Sequence, residues 1–138
     1  MAKNVTLVAC VDDRMGMTFN ARRQSKDRVQ RERLLSFLKG ERLWMSEYSG
    51  RLFGEVDGVF AHDAFLRKVK SGEAVFIEDI LPETLKGISR VILYKWNERY
   101  PSEVVFPFDL SKEGFALKAS EDFEGSSHEK ITEEIYER

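Results

Sequence analysis

The chain has 138 residues, the size of one domain, since domains most often run to about 100–150 residues. Its 42% hydrophobic and 33% charged content, with 9 Gly, 3 Pro and 1 Cys, excludes collagen, low-complexity disorder and a disulfide scaffold. No apolar run approaches the ~20 residues a bilayer span needs, and the net charge of −2 by itself names no partner.

That charge is a cancellation. Residues 22–33 carry a net +4 and residues 121–138 a net −5. Such asymmetry marks an anion site or two solvated faces that attract one another. The lone thiol, Cys10, fits a reducing cytosol. The apolar stretch 5–11 is too short for a signal-peptide core and runs straight into Asp12-Asp13. Both features lead to the expectation of a cytoplasmic protein.

In chain order, residues 5–11 form a short β-branched apolar run and read as a buried central strand. Residues 12–24, with Gly16 and Asn20, read as a loop. Ser25 is placed as the N-cap of a helix running to about Lys39, with Asp27 in its first turn and Gly40 just beyond its end. The apolar residues of that helix crowd its second half, so its first half is expected to project from the core. Residues 42–45 read as a second strand, 46–58 as irregular chain with three glycines, and 58–61 as a third strand. A short helix capped by Asp63 is expected over 63–69, a strand over 73–77, a helical turn over 82–87 and a long strand over 90–96. Residues 115–120 and 129–136 read as a terminal hairpin around Gly125-Ser126-Ser127. Strands alternating with helices, then strands alone, predict an α/β sheet with an antiparallel C-terminal edge.

Recognised chemical motifs are few. No GxGxxG and no GxxxxGK[ST] occurs. Two histidines, His62 and His128, are too distant in sequence to suggest a metal pair and too few for a histidine-rich hydrolase centre; one cysteine excludes a zinc ribbon. No metal is expected. His128 lies beside Ser126-Ser127 and Glu129, but neighbours on one hairpin rarely converge as a triad. Cys10, Trp44, Tyr94 and Trp96 read as core residues, and Met15, Met17 and Phe19 as core residues or a mobile lid.

Several stretches, in order, resemble dihydrofolate reductase. Leu7-Val8-Ala9-Cys10-Val11-Asp12-Asp13-Arg14-Met15-Gly16-Met17 is similar to that family's first strand and mobile loop, and Phe19-Asn20-Ala21 continues it. Ser25-Lys26-Asp27 resembles the Pro-x-Asp/Glu whose acidic residue binds the pterin. Leu43-Trp44-Met45 resembles the second strand, Ile88-Ser89-Arg90-Val91-Ile92-Leu93-Tyr94 a late strand, and Phe106-Pro107-Phe108-Asp109 the FP turn. Glu134-Ile135-Tyr136-Glu137-Arg138 resembles the closing strand. The resemblance implies a single-domain α/β fold with a mixed sheet, an antiparallel C-terminal hairpin and flanking helices.

The departures are as informative. The Met-Gly-Arg-x-Thr that holds the NADPH phosphates reads Met45-Ser46-Glu47-Tyr48-Ser49, and the family's Gly-Gly reads Glu78-Asp79. Side chains and negative charge there oppose the cofactor. Pro-Trp before the helix is replaced by Arg22-Arg23, an apolar pocket residue by Arg31, and a supporting Thr by Tyr94. The adenine-binding segment is compressed into about 50–58. These changes imply that NADPH-dependent folate reduction has been lost and that the cofactor half is shortened. The expected site lies between the loop 15–25, the helix start and the strand bearing Tyr94. Asn20, Arg22, Arg23, Gln24, Ser25, Arg31 and Tyr94 are its candidate ligand contacts, for a small anionic or phosphorylated molecule, with Asp27 as acceptor or general acid/base. Two other readings stay open: a nucleic-acid-binding surface on the 22–33 arginines, and a protein-interaction module pairing the basic helix and acidic hairpin with a partner.

Overall fold

The computed structural model describes residues 2–138. The element order is β1 (Val5–Val11), β2 (Gly16–Phe19), β3 (Arg22–Arg23), α1 (Arg28–Leu38), β4 (Leu43–Met45), α2 (Glu47–Phe53), β5 (Val59–Ala61), α3 (Phe65–Lys68), β6 (Ala74–Phe76), β7 (Ile88–Lys95), β8 (Val104–Val105), β9 (Ala116–Phe123) and β10 (Ile131–Glu137). Seven strands make one sheet in the order β5-β4-β6-β1-β7-β10-β9, and β3-β2-β8 form a small second sheet. β1 runs parallel to β6 and β7, while β10 is antiparallel to β7 and β9. The expected α/β class with an antiparallel C-terminal edge is what the chain adopts.

Alternation along β1 builds two cores. Leu7, Ala9 and Val11 join Phe65, Ile77, Leu93 and Phe115 on one face. Val8 joins Leu34, Leu38, Phe76, Tyr94 and Trp96 on the other, under α1. The edge strand β9 is exposed along nearly its whole length and carries Lys118, Glu121 and Asp122, charges that discourage pairing with another chain.

Four local expectations are corrected. The stretch 12–24 is a hairpin, because Asn20 and Ala21 both take positive φ (51° and 59°) and pair Phe19 with Arg22; two left-handed residues match the twist of a two-residue β-turn. Residues 47–53 are helical, with Ser46 as N-cap receiving the Ser49 N–H and Gly54 closing the end. Gly50 sits inside that helix because a Cβ there would collide with the Cβ of Ala61. Asp63 does not cap α3, whose N-cap is Ala64; its carboxylate instead accepts the N–H of Glu47. Residues 82–87 form no helical turn, only a bend and a turn before β7.

The helix start is corrected as well. Asp27, not Ser25, is the N-cap of α1, accepting the N–H of Gln30 at 3.1 Å. The first half of α1 does not project: Asp27 is 1% exposed and Gln30 2%. The cover of Asp27 is the turn between β9 and β10.

Candidate functional site

The strand order reverses around β1, since the chain leaves it towards β4 on one side and reaches β7 on the other. In open α/β sheets such a reversal opens a crevice at the carboxyl ends of the strands. Three acidic groups stand there: Asp12 after β1, Glu78-Asp79 after β6, and Asp27 at the start of α1.

Asp12 is 1% exposed and pins the hairpin 12–24. Its Oδ1 accepts the N–H groups of Arg14 (2.8 Å) and Gly16 (2.7 Å), and its Oδ2 accepts Gln24 Nε2 (3.1 Å) and the Tyr100 N–H (3.1 Å). The hairpin and the 100–101 segment then enclose a pocket of about 250 Å³, walled by Phe19, Asn20, Arg22, Arg23, Gln24, Tyr100 and Pro101. Arg22 is exposed. Gln24 Nε2 also donates to the Pro101 carbonyl (3.2 Å), which fixes the amide orientation and leaves its buried Oε1 without a partner among the described residues.

Asp27 faces the other way, into the β9–β10 turn. Besides Gln30 it accepts the N–H groups of Ser126 (3.0 Å) and Ser127 (2.8 Å) and bonds His128 Nδ1 at 2.9 Å. Burial works against this charge, but the His128 bond and then the N–H groups of Ser127, Ser126 and Gln30 outweigh it and hold the carboxyl well below the usual carboxylate range. Gly125 has to be glycine here, since a Cβ would run into the Asp27 carboxylate. Because Asp27 can only accept at Nδ1, His128 carries a proton there, and in the neutral ring Nε2 is then the acceptor. Ser25 Oγ lies 2.8 Å from that nitrogen and the Tyr100 hydroxyl 3.4 Å. The imidazole stacks on Trp96, with centroids 4.5 Å apart and planes 18° from parallel.

Arg23 closes the side towards α2. Its guanidinium forks onto Glu78 (2.9 and 3.0 Å), its backbone N–H donates to the Tyr48 hydroxyl, and its charge lies 4.3 Å from the Tyr48 ring centre. Burial opposes this charge, yet the Glu78 bond and field raise the guanidinium pKa above its ordinary value. Glu78 also accepts the Ser49 hydroxyl at 2.7 Å, and Asp79 the Ser46 hydroxyl at 2.6 Å.

Asn20, Arg22, Arg23 and Gln24 therefore share one pocket, with Ser25 and Asp27 joined just behind it through His128. Arg31 and Tyr94 are not among its walls. Tyr94 is fully buried and gives its hydroxyl to Glu133 at 2.8 Å; burial first, and then Glu133, push its phenol far above the ordinary value. Arg31 reaches inward, where its charge lowers the pKa of the Cys10 thiol against the larger upward effects of burial and Glu78. Its buried Nη1 and that of the neighbouring Gln30 side chain, Nε2, have no partner among the described residues. Sequence reading missed Tyr100 and the true partners of His128. The nearest signal was the Ser-His pair on the hairpin, but its carboxylate is Asp27, 101 positions away, rather than Glu129.

This strand order and crevice define a dihydrofolate reductase-like fold. Among solved structures, dihydrofolate reductase from Enterococcus faecalis complexed with NADP(H) and RAB-propyl is similar over 100% of this chain and 99% of that chain, with a TM-score of 0.69 and 10% sequence identity. No protein-family model matches the chain, and no curated protein matches it.

The sequence resemblance places the phosphates of NADPH at the turn into α2 and the segment after β6, and both carry carboxylates. In the first turn of α2 the N–H of Ser49 is taken by the Ser46 hydroxyl and that of Glu47 by Asp63. Glu78, 8% exposed, is bound to Arg23 and Ser49. A pyrophosphate would meet the carboxylates of Glu47, Asp63, Glu78 and Asp79 instead of free donors.

Proposed function

We propose that this chain binds a small molecule bearing a carboxylate or phosphate in the pocket beside α1, and that it has lost NADPH-dependent folate reduction. The observation that carries the reading is the pocket itself, where Asn20, Arg22, Arg23 and Gln24 meet Phe19, Tyr100 and Pro101. Arg22, exposed, supplies a cation among the pocket walls. At about 250 Å³ the pocket suits a metabolite of a few carbons, smaller than most drug-sized sites. The domain in this reading is single, shortened in the cofactor half, and cytoplasmic, in keeping with its one cysteine.

A nucleic-acid surface is less well supported. Arg23 is paired with Glu78, Arg28 with Glu32, and Arg33 with Glu121 and Glu133, so much of the basic segment is neutralised within the chain. The two Arg33 pairs join the basic helix to the acidic hairpin, which weakens the reading of both as faces for a partner. Among the described residues no helix is long and apolar enough to cross a membrane. Thermal-shift screening against small phosphorylated and carboxylated metabolites tests the proposal. A melting-point rise that disappears in Arg22→Ala is expected. RNA binding that falls steeply with salt, with no response to any small anion, would replace this reading by the nucleic-acid one.

A further inference from the structure

We propose that Ser25 is a nucleophile, activated by His128, and that the chain hydrolyses esters of small acids bearing a second anionic group. The proposal rests on the pocket reading above and extends it to chemistry. Ser25 Oγ, His128 and Asp27 form one hydrogen-bonded line, 2.8 Å at Nε2 and 2.9 Å at Nδ1. Three features separate this line from a chance contact. Asp27 fixes the tautomer that leaves Nε2 able to accept the Ser25 proton, while its own charge is held by three backbone N–H groups. The ring is held in plane against Trp96. The reacting end also abuts the pocket, because Gln24 precedes Ser25 and Tyr100, a pocket wall, touches the same Nε2.

The roles follow from these positions. Ser25 Oγ attacks the ester carbonyl carbon and its proton passes to His128 Nε2. The carbon–oxygen bond to the alcohol breaks, and the alcohol leaves with that proton. Water, deprotonated at the same nitrogen, then adds to the acyl-serine; the carboxylic acid leaves and Ser25 regains its proton. The Tyr100 hydroxyl, 3.4 Å from the same Nε2, is the donor assigned to the developing oxyanion. Arg22 holds the second anionic group of the substrate, as it holds the anion in the binding reading. Asp27 touches none of the reacting atoms and is a positioning residue.

Treatment of the full chain with a fluorophosphonate probe, followed by intact mass and peptide mapping, tests the proposal. One adduct on Ser25 is expected. The labelling rate should fall by at least about a hundredfold in Ser25→Ala and in His128→Asn. Ser25→Ala removes only one hydroxyl, so its melting point should stay near that of the unaltered chain and its loss of labelling cannot be put down to unfolding. Hydrolysis of 4-nitrophenyl hydrogen succinate should follow the same order. An unlabelled chain, or an adduct elsewhere that survives Ser25→Ala, would overturn the nucleophile. Succinate titrated into Ser25→Ala by calorimetry tests the pocket separately: heat of binding without labelling of the parent chain sinks the chemistry and leaves the binding reading standing. Labelling at Ser25 without succinate binding does the reverse, supporting the nucleophile and removing the anionic specificity.

Discussion

Asp27, at the start of α1, and Glu78, just after β6, are both buried carboxylates, yet they are satisfied in opposite ways. Glu78 meets a guanidinium, supported by one hydroxyl. Asp27 meets three backbone N–H groups, two serines and a histidine. An arginine cancels the charge of Glu78, so the pair becomes a closed, neutral bracket between β3 and α2. Neutral dipoles leave the charge in place, so the Asp27 side stays polarised and orients an imidazole. The two halves of one crevice have thus diverged, one towards structure and one towards a poised polar group.

Removing Asp27 should have the largest effect, because the helix cap and the turn 125–128 depend on it together. Asp27→Ala is expected to lower unfolding free energy by about 3 kcal/mol, from the lost cap and the buried donors left unpaired. Urea unfolding measures this; a loss below about 1 kcal/mol would mean that the turn is not anchored there. Gly125→Ala should cost about 2 kcal/mol, since the new methyl presses on the Asp27 carboxylate and Ile131.

On the Glu78 side a double-mutant cycle sharpens the contrast. Arg23→Met strands a buried carboxylate and should cost about 2 kcal/mol, while Arg23→Met with Glu78→Gln should recover about half of it. Additive losses would show that the pair does not act as a unit. At the small end, Arg28→Ala breaks only an exposed i,i+4 pair and should change stability by no more than about 0.5 kcal/mol.

Acid titration tests the Asp27 side. Asp27 has a depressed folded pKa, so its contribution is present above the unfolded value of about 3.9 and is lost as pH falls below it. Stability should therefore drop steeply below about pH 4, and Asp27→Asn should flatten that limb. Parallel acid limbs in the two proteins would contradict the assignment.

The central strands were legible because runs such as Val5–Val11 and Ile88–Lys95 are apolar and β-branched, a local signal. The hairpin 16–23 was hidden because its turn uses Asn20-Ala21, and alanine rarely takes φ near 59°. α2 was hidden by Gly50 and Gly54, which read as breakers although one serves packing and the other ends the helix. Asn20, Arg22, Arg23 and Gln24 could be grouped from sequence because they are contiguous. The partners of Asp27 could not, since they come from a turn about a hundred residues later, and Ser, Gly and His in a hairpin turn carry no mark of what they face.

A titration of backbone amide resonances, run once with inorganic phosphate and once with NADPH, tests the divergence of the two halves most directly. Phosphate is expected to move the amides of Asn20, Arg22, Gln24 and Tyr100, while NADPH leaves those of α2 and Glu78-Asp79 in place. Saturable shifts of the α2 amides with NADPH, and none around Arg22 with phosphate, would contradict the account.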